Sequence, residues 1–313
     1  MTTAALPALI AVDWGTTSAR AYRVDASGVI LGERALPLGI ANIVAGGFAE
    51  ALDALLGDWR DDRVPRIGCG MIGSRQGWVE APYVDCPVEL AALGDHLTPT
   101  PGGELSIVAG ARCRDRANVP DVMRGEETQL AGVAGAARDR AIAVLPGTHS
   151  KWALLDAGRL LAFATFMTGE LYAVLLGHSI LGRMAAAGTA ARGSPGPAFA
   201  DGVARGAGEG GLSHAIFGAR TLPLCGELAE AEVGDWLSGV LIGDEIAAAR
   251  RWAADRGLHV ERVTVIGAES LAARYALALA QCGLRAERAA ADSAARGMFT
   301  IARRAGLVQA GAR

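Results

Sequence analysis

Lysine is nearly missing from this chain: of 30 Lys and Arg residues, only Lys151 is a lysine. Aromatics are scarce and there is no surplus of positive charge, the net charge being −3. A nucleic-acid binder needs a basic face, so that class is not expected. Cys69, Cys86, Cys113, Cys225 and Cys282 include no CxxC pair and no ligand-like spacing to histidine. They read as small buried hydrophobes in a reducing compartment. No apolar run approaches membrane-spanning length, and no basic stretch precedes the apolar segment from Ala4 to Val12. Neither insertion nor secretion is expected, and the cytoplasm is the expected location.

Glycine, by contrast, is plentiful, and many glycines end apolar runs, where turns belong. The 313 residues suffice for two domains, each with its own core. An internal repeat gives that division content. The segment Ile10-Ala11-Val12-Asp13-Trp14-Gly15-Thr16-Thr17-Ser18-Ala19-Arg20-Ala21 aligns with Ile142-Ala143-Val144-Leu145-Pro146-Gly147-Thr148-His149-Ser150-Lys151-Trp152-Ala153, seven of twelve positions being identical. Each copy then meets a turn signal, Asp25-Ala26-Ser27-Gly28 or Asp156-Ala157-Gly158, and continues into a further apolar run. Both read as strand, Gly-Thr turn, strand, hairpin turn, strand: a duplicated β-meander opening each domain.

Helical spacing follows each meander, with Phe48, Leu52, Leu55, Leu56 and Trp59 on one face and a returning strand at 67–72. Later helices are expected over 171–184, 244–254 and from Leu271 to Cys282, the last preceded by a strand at 263–266. A final helix is expected from Asp292 to Gly306, and the Gly/Ala/Pro-rich stretch 186–211 reads as a mobile lid. The domains are expected at 1–116 and 117–313, with the last helix packing back on the first.

A Gly-Thr turn between strands exposes backbone N–H groups and hydroxyls with no bulky side chain in the way. Two such loops across a cleft can hold a triphosphate from both sides. The first copy carries Asp13 where the second has Leu145. A carboxylate on one loop only suits Mg²⁺, which prefers carboxylate oxygen and water.

The segment Asp13-Trp14-Gly15-Thr16-Thr17-Ser18 resembles the first phosphate motif of the actin, sugar-kinase and heat-shock-chaperone superfamily. Gly147-Thr148-His149 resembles the second, and Val263 to Ala268 resembles the adenosine motif, with Gly267 and Ala268 beneath the purine. The resemblance implies an α/β fold of two similar actin-like (ribonuclease H-like) domains with ATP between them. Residues 70–77 are similar to the substrate-binding strand end of the FGGY carbohydrate kinases, and 125–130 lie where those carry a Gly-Asp base motif. More narrowly, 12–18, 71–78, 123–129, 145–152 and 166–171 resemble the 2-dehydro-3-deoxygalactonokinase family. That resemblance implies ATP-dependent phosphorylation of a 2-keto-3-deoxy sugar acid at its terminal hydroxyl.

Phosphoryl transfer needs positioning, charge neutralisation and a proton acceptor. Glu126 is the expected base, matching the family motif, and Glu127 is the alternative one residue on. A bidentate arginine suits the acid's carboxylate; Arg75 leads, with Arg124 and Arg20 open. Ser74, Trp78, Glu80 and Tyr83, with Thr168, Glu170 and Tyr172, are candidates to meet the sugar. Lys151 is placed opposite the transferring phosphoryl group or on a solvent-facing strand, and Asp244 is a reserve base. A small sugar acid is the expected partner; a homodimer is allowed by the sequence without being specified by it. Kinases of other aldonates, keto-sugars or polyols, or an ATP-binding sugar sensor, are the rival readings.

Overall fold

The computed structural model describes residues 5–44, 46–134, 140–185 and 195–309. In chain order these form β1 (Pro7–Trp14), β2 (Ala19–Asp25), β3 (Ile30–Leu36), α1 (Phe48–Leu56), β4 (Arg66–Gly70), β5 (Tyr83–Asp85), β6 (Val88–Glu89), β7 (Thr98–Pro99), β8 (Ser106–Ile107), β9 (Gly110–Arg114), β10 (Pro120–Met123) and α2 (Glu126–Ala134). There follow β11 (Ala141–Leu145), β12 (Ser150–Asp156), β13 (Arg159–Phe166), α3 (Thr168–His178), α4 (Pro197–Ala207), α5 (Leu212–Ala215), α6 (Gly218–Leu224), α7 (Val233–Ala254), β14 (Arg262–Val265), α8 (Glu269–Gln281), β15 (Arg285–Arg288) and α9 (Ser293–Arg304).

The chain divides into two compact units. One comprises 1–140, 155–162 and 290–313; the other comprises 141–154 and 163–289. The break therefore follows Arg140, and 117–140 stay with the first unit, since α2 packs against α9, which in turn packs on β1 and β4. The approach of α2 to α9 is a backbone one: a Cβ on Gly297 would lie 1.7 Å from the Thr128 carbonyl oxygen. The C-terminal helix thus fixes the start of α2, where Glu126 and Glu127 stand.

In the first unit the main sheet runs β3-β2-β1-β4-β8-β7. β1 is antiparallel to β2 and parallel to β4. Leu9 to Val12 are wholly buried, as befits a central strand covered on both faces. The β2–β3 turn is an Asx turn: Asp25 Oδ1 accepts the N–H groups of Ser27 at 2.8 Å and Val29 at 2.9 Å. The apolar face of α1 packs with Trp14, Trp59 and Ile72 in one core.

The second unit repeats the pattern, its sheet running β15-β14-β11-β12-β13 with β11 parallel to β14. The duplicated meander read from the sequence is present in both places. The glycine-rich stretch is different: α4 occupies 197–207, inside the segment expected to be a lid, and the 186–194 part lies outside the described residues. Its glycines serve packing, since a Cβ on Gly206 would lie 1.9 Å from the Val240 carbonyl oxygen of α7. α7 itself begins eleven residues earlier than the expected 244, at Val233. Its first half is buried almost throughout, so no amphipathic period marks it.

Candidate active site

In the first unit, Asp13 lies one residue before the end of β1, and the strand register fixes its neighbours. It pairs with Arg20 across the antiparallel ladder and with Cys69 across the parallel one. Cys69 Sγ is 3.8 Å from Asp13 Oδ1. Desolvation raises the Asp13 carboxyl above its ordinary value; Arg20 and Cys69 oppose this, and Glu126 adds to it. Beyond β1, Gly15 N–H donates to the Ser18 carbonyl at 2.9 Å, closing a tight turn that leaves Thr16, Thr17 and Ser18 exposed.

The two glutamates open α2, and their environments separate them. Glu127 is 1% exposed; Gly125 N–H donates to its Oε2 at 2.7 Å and Thr128 Oγ1 to its Oε1 at 2.8 Å. Burial, with the charge of Glu126 alongside, pushes its carboxyl up to about 8. Glu126 is only half-buried and accepts the Arg124 backbone N–H at 3.0 Å. Its charge is felt at Asp13, and Gly125 packs on Gly70 so that the start of α2 lies against the end of β4.

The three candidate arginines differ in exposure and contacts. Arg75 is 83% exposed and stands 3.7 Å from Glu80. Arg20 is exposed on β2. Arg124 instead lies over the Tyr83 ring at 4.3 Å and donates from Nη2 to the Ala81 carbonyl at 2.7 Å. Its Nε and Nη1 are buried without a hydrogen-bond partner among the described residues, and so is the Ser74 hydroxyl. A Cβ on Gly73 would lie 3.0 Å from Arg124 Nη1, so the guanidinium runs beside the backbone next to Ser74. Trp78 is a packing residue, stacked on Phe48 at 6.0 Å.

In the second unit the Gly147-Thr148-His149 loop exposes Thr148 and His149 between β11 and β12. His149 Nε2 pairs with Glu170, expected to meet sugar. Lys151 is 5% exposed, and its ammonium donates to the His149 carbonyl at 3.1 Å, so it is not the solvent-facing strand residue of the alternative reading. Thr168 gives its hydroxyl to Glu245, a residue that sequence reading passed over in favour of its neighbour Asp244. Glu245 is 1% exposed and takes further hydrogen bonds from Ser150, Trp152 and Tyr275, each at 2.7 Å. No motif signals it; only the fold brings those four donors to one carboxylate. Beside Gly147 a cavity of about 140 Å³ is lined by Tyr172, Leu241, Ile242, Leu271 and Arg274. Gly267 and Ala268 are exposed just before α8, one turn from Leu271.

The chain is similar to known proteins along most of its length. The family model for 2-keto-3-deoxy-galactonokinase matches residues 13–301. The 2-dehydro-3-deoxygalactonokinase of Escherichia coli (strain K12) is 35% identical over 285 residues, 91% of this chain and 94% of that one. A Rhizobium meliloti (strain 1021) protein named for the same activity is 40% identical over 97% of this chain and 99% of its own. A crystal structure described as a 2-dehydro-3-deoxygalactonokinase from Sinorhizobium meliloti superposes with a TM-score of 0.83 at 37% identity, covering 95% of this chain and 96% of that one. The Clostridium difficile activator of 2-hydroxyisocaproyl-CoA dehydratase, solved with bound ADPNP, shares the fold at a TM-score of 0.50 and 14% identity over 93% of this chain and 92% of its own.

Proposed function

The chain belongs to the 2-keto-3-deoxy-galactonokinase family, and on that premise we propose that it transfers the γ-phosphoryl group of ATP to the terminal hydroxyl of 2-keto-3-deoxygalactonate. The fold is the actin-like one, two α/β units each opening on a three-strand meander. What supports the residue-level reading is that the strand end carrying Asp13 and the helix start carrying Glu126 pack together in one unit through Gly70 and Gly125, with a tight Gly-Thr turn directly after Asp13.

In the reaction, the substrate hydroxyl oxygen forms a bond to the γ-phosphorus as the bond from that phosphorus to the β,γ-bridging oxygen breaks. Glu126 takes the hydroxyl proton, and ADP carries away the electron pair of the broken bond. In the first unit the exposed Thr16, Thr17 and Ser18 turn, and in the second unit the exposed Thr148 and His149 loop, each offer donors suited to phosphate oxygens. The cavity beside Gly147, lined by Leu271 of the helix that follows Gly267 and Ala268, takes the adenosine.

The donor set at Asp13 fits Mg²⁺. It is a partly exposed carboxylate whose desolvation Arg20 offsets only in part, and Mg²⁺ binds through one or two carboxylates plus water and phosphate. No group of three or more His, Cys, Asp or Glu suited to a metal exists among the described residues. Asp13 would hold the ion, which would supply charge neutralisation for the transferring phosphoryl group.

Arg124, with Ser74, is the better carboxylate holder than Arg75. Two buried guanidinium nitrogens without partners among the described residues are costly, and a carboxylate oxygen meeting either one offsets part of that cost. The free state of all five cysteines fits a reducing cytoplasm.

The test is ADP release measured with 2-keto-3-deoxygalactonate, its gluconate epimer and a panel of aldonates and polyols. Turnover with the galactonate-derived acid at least about tenfold above every other compound supports the assignment. A different preferred substrate replaces it, and ATP hydrolysis insensitive to all of them removes the kinase reading.

A further inference from the structure

Glu245 presents two carboxylate oxygens to four donors from three elements. Oε1 accepts from Ser150 Oγ and Trp152 Nε1 on β12; Oε2 accepts from Thr168 Oγ1 on α3 and the Tyr275 hydroxyl on α8. A buried carboxylate with no cation beside it is costly, and four hydrogen bonds are what offset that cost. Two of the four donors border the exposed loop. Ser150 directly follows His149. Thr168 precedes Gly169, whose Cβ, were one present, would lie 2.4 Å from the Gly147 carbonyl oxygen. The next N–H, that of Glu170, donates to the Thr148 carbonyl at 3.0 Å. The loop is therefore gripped at both ends by groups whose hydroxyls point to the same carboxylate.

We propose that Glu245 is a positioning residue for the reaction, holding Ser150 and Thr168 so that the Gly147-Thr148-His149 loop keeps the shape that receives the nucleotide's phosphates. This rests on the reading of that loop as a phosphate loop. Glu245 touches neither substrate; it acts through the two residues that border the loop. A glutamine can serve in part, its oxygen accepting from Ser150 and Trp152 while its amide donates to Thr168 and Tyr275, whose hydroxyl hydrogens turn away. An alanine removes the shared acceptor, leaving Ser150 and Tyr275 only the 3.3 Å contact between their hydroxyls.

The experiment is calorimetric titration of ADP into the full-length wild type, Glu245→Ala, Glu245→Gln, Thr168→Val and Thr148→Glu, at a temperature where circular dichroism shows each folded. Glu245→Ala is expected to weaken ADP about ten- to a hundredfold while the KM for the sugar acid moves less than about twofold, and Glu245→Gln to recover most of the affinity. Thr168→Val, which keeps the side-chain shape, is expected to weaken ADP several-fold and to be non-additive with Glu245→Gln. If Glu245→Ala does not fold, the Gln and Val pair decides alone. Wild-type ADP affinity in the folded variants, additive effects, or an equal rise in both KM values would overturn the proposal and leave Glu245 as a stabilising core residue. Thr148→Glu reads the loop itself. If that added charge leaves ADP binding intact, the phosphate-loop reading fails; if it abolishes binding while the Glu245 variants do nothing, only the Glu245 proposal fails.

Discussion

Gly125 meets Gly70 so closely that a Cβ on Gly125 would lie 3.0 Å from Gly70 Cα, and both residues have positive φ, +105° and +91°. A side chain at either position meets strain and a backbone collision together. Gly70 is also tight on the other side, a Cβ there lying 2.7 Å from the Trp14 carbonyl oxygen and 3.4 Å from Asp13 Oδ1. The ends of β1 and β4 and the start of α2 are thus stacked through bare backbone. That stacking brings Asp13 and Glu126 to one place although more than a hundred residues separate them in the chain.

Asp13→Asn is expected to leave the fold intact, because its ladder partners Arg20 and Cys69 keep their backbone pairing. The amide cannot neutralise a cation, so kcat at saturating Mg²⁺ should fall by on the order of 10²-fold. A thermal melt beside the kinetic assay separates the two effects. A well-folded variant turning over at the wild-type rate would remove Asp13 from the metal role.

Arg124→Ala should raise the KM for the sugar acid and spare that for ATP. Losing a charge-assisted contact to a carboxylate costs roughly 1.5–3 kcal/mol, about ten- to a hundredfold in KM. Arg75→Ala, whose side chain is 83% exposed beside Glu80, should change neither constant measurably. Steady-state kinetics with each substrate varied in turn decide between them, and the opposite pattern restores Arg75 to the substrate.

The meanders, the Gly-Thr turns and the apolar face of α1 were all legible in the sequence, because each is written in local periodicity and turn chemistry. What escaped was set by tertiary contact. The first half of α7 is buried on every side, and α4 carries glycines for backbone approach, so both lack the signals of an ordinary surface helix. Arg75 and Arg124 look alike in sequence; only burial beside Tyr83 and Ser74 sets Arg124 apart. Glu126 and Glu127 likewise differ by which side of the first α2 turn faces the core.

Glu127 should leave a mark on the pH dependence of stability. Its carboxyl ionises near ~4.3 in the unfolded chain but only at about 8 in the fold. Between those values the folded state holds a proton that the unfolded state has lost, so stability falls as pH rises, by at most about 1.4 kcal/mol per unit. Below that window, where both states hold the proton, the contribution is fully present. Asp13, also raised, acts with the same sign. Glu127→Gln removes its own share, so the Tm advantage of this variant over wild type should widen from pH 5.5 to 8.5. Parallel Tm curves would show that Glu127 is already ionised in the folded protein.

Glu126→Gln should cut kcat while changing the KM for the sugar acid little. The side chain is half-buried, unlike the fully buried Glu127, and its oxygen accepts the Arg124 N–H. Glutamine keeps that acceptor and the size of the side chain but cannot take the hydroxyl proton. Removing a general base costs on the order of 10²–10⁴ in rate, and a loose phosphoryl-transfer transition state favours the lower end. Glu127→Gln is the control, since it stands on the same turn and carries its proton at neutral pH, where glutamine imitates it. Single-turnover rates for both variants therefore assign the base. Loss of rate in Glu127→Gln alone would move the role one residue along α2. Wild-type rates in both would take the base out of this turn and make Asp244, partly buried on α7 with its carboxyl raised by desolvation, the next residue to replace.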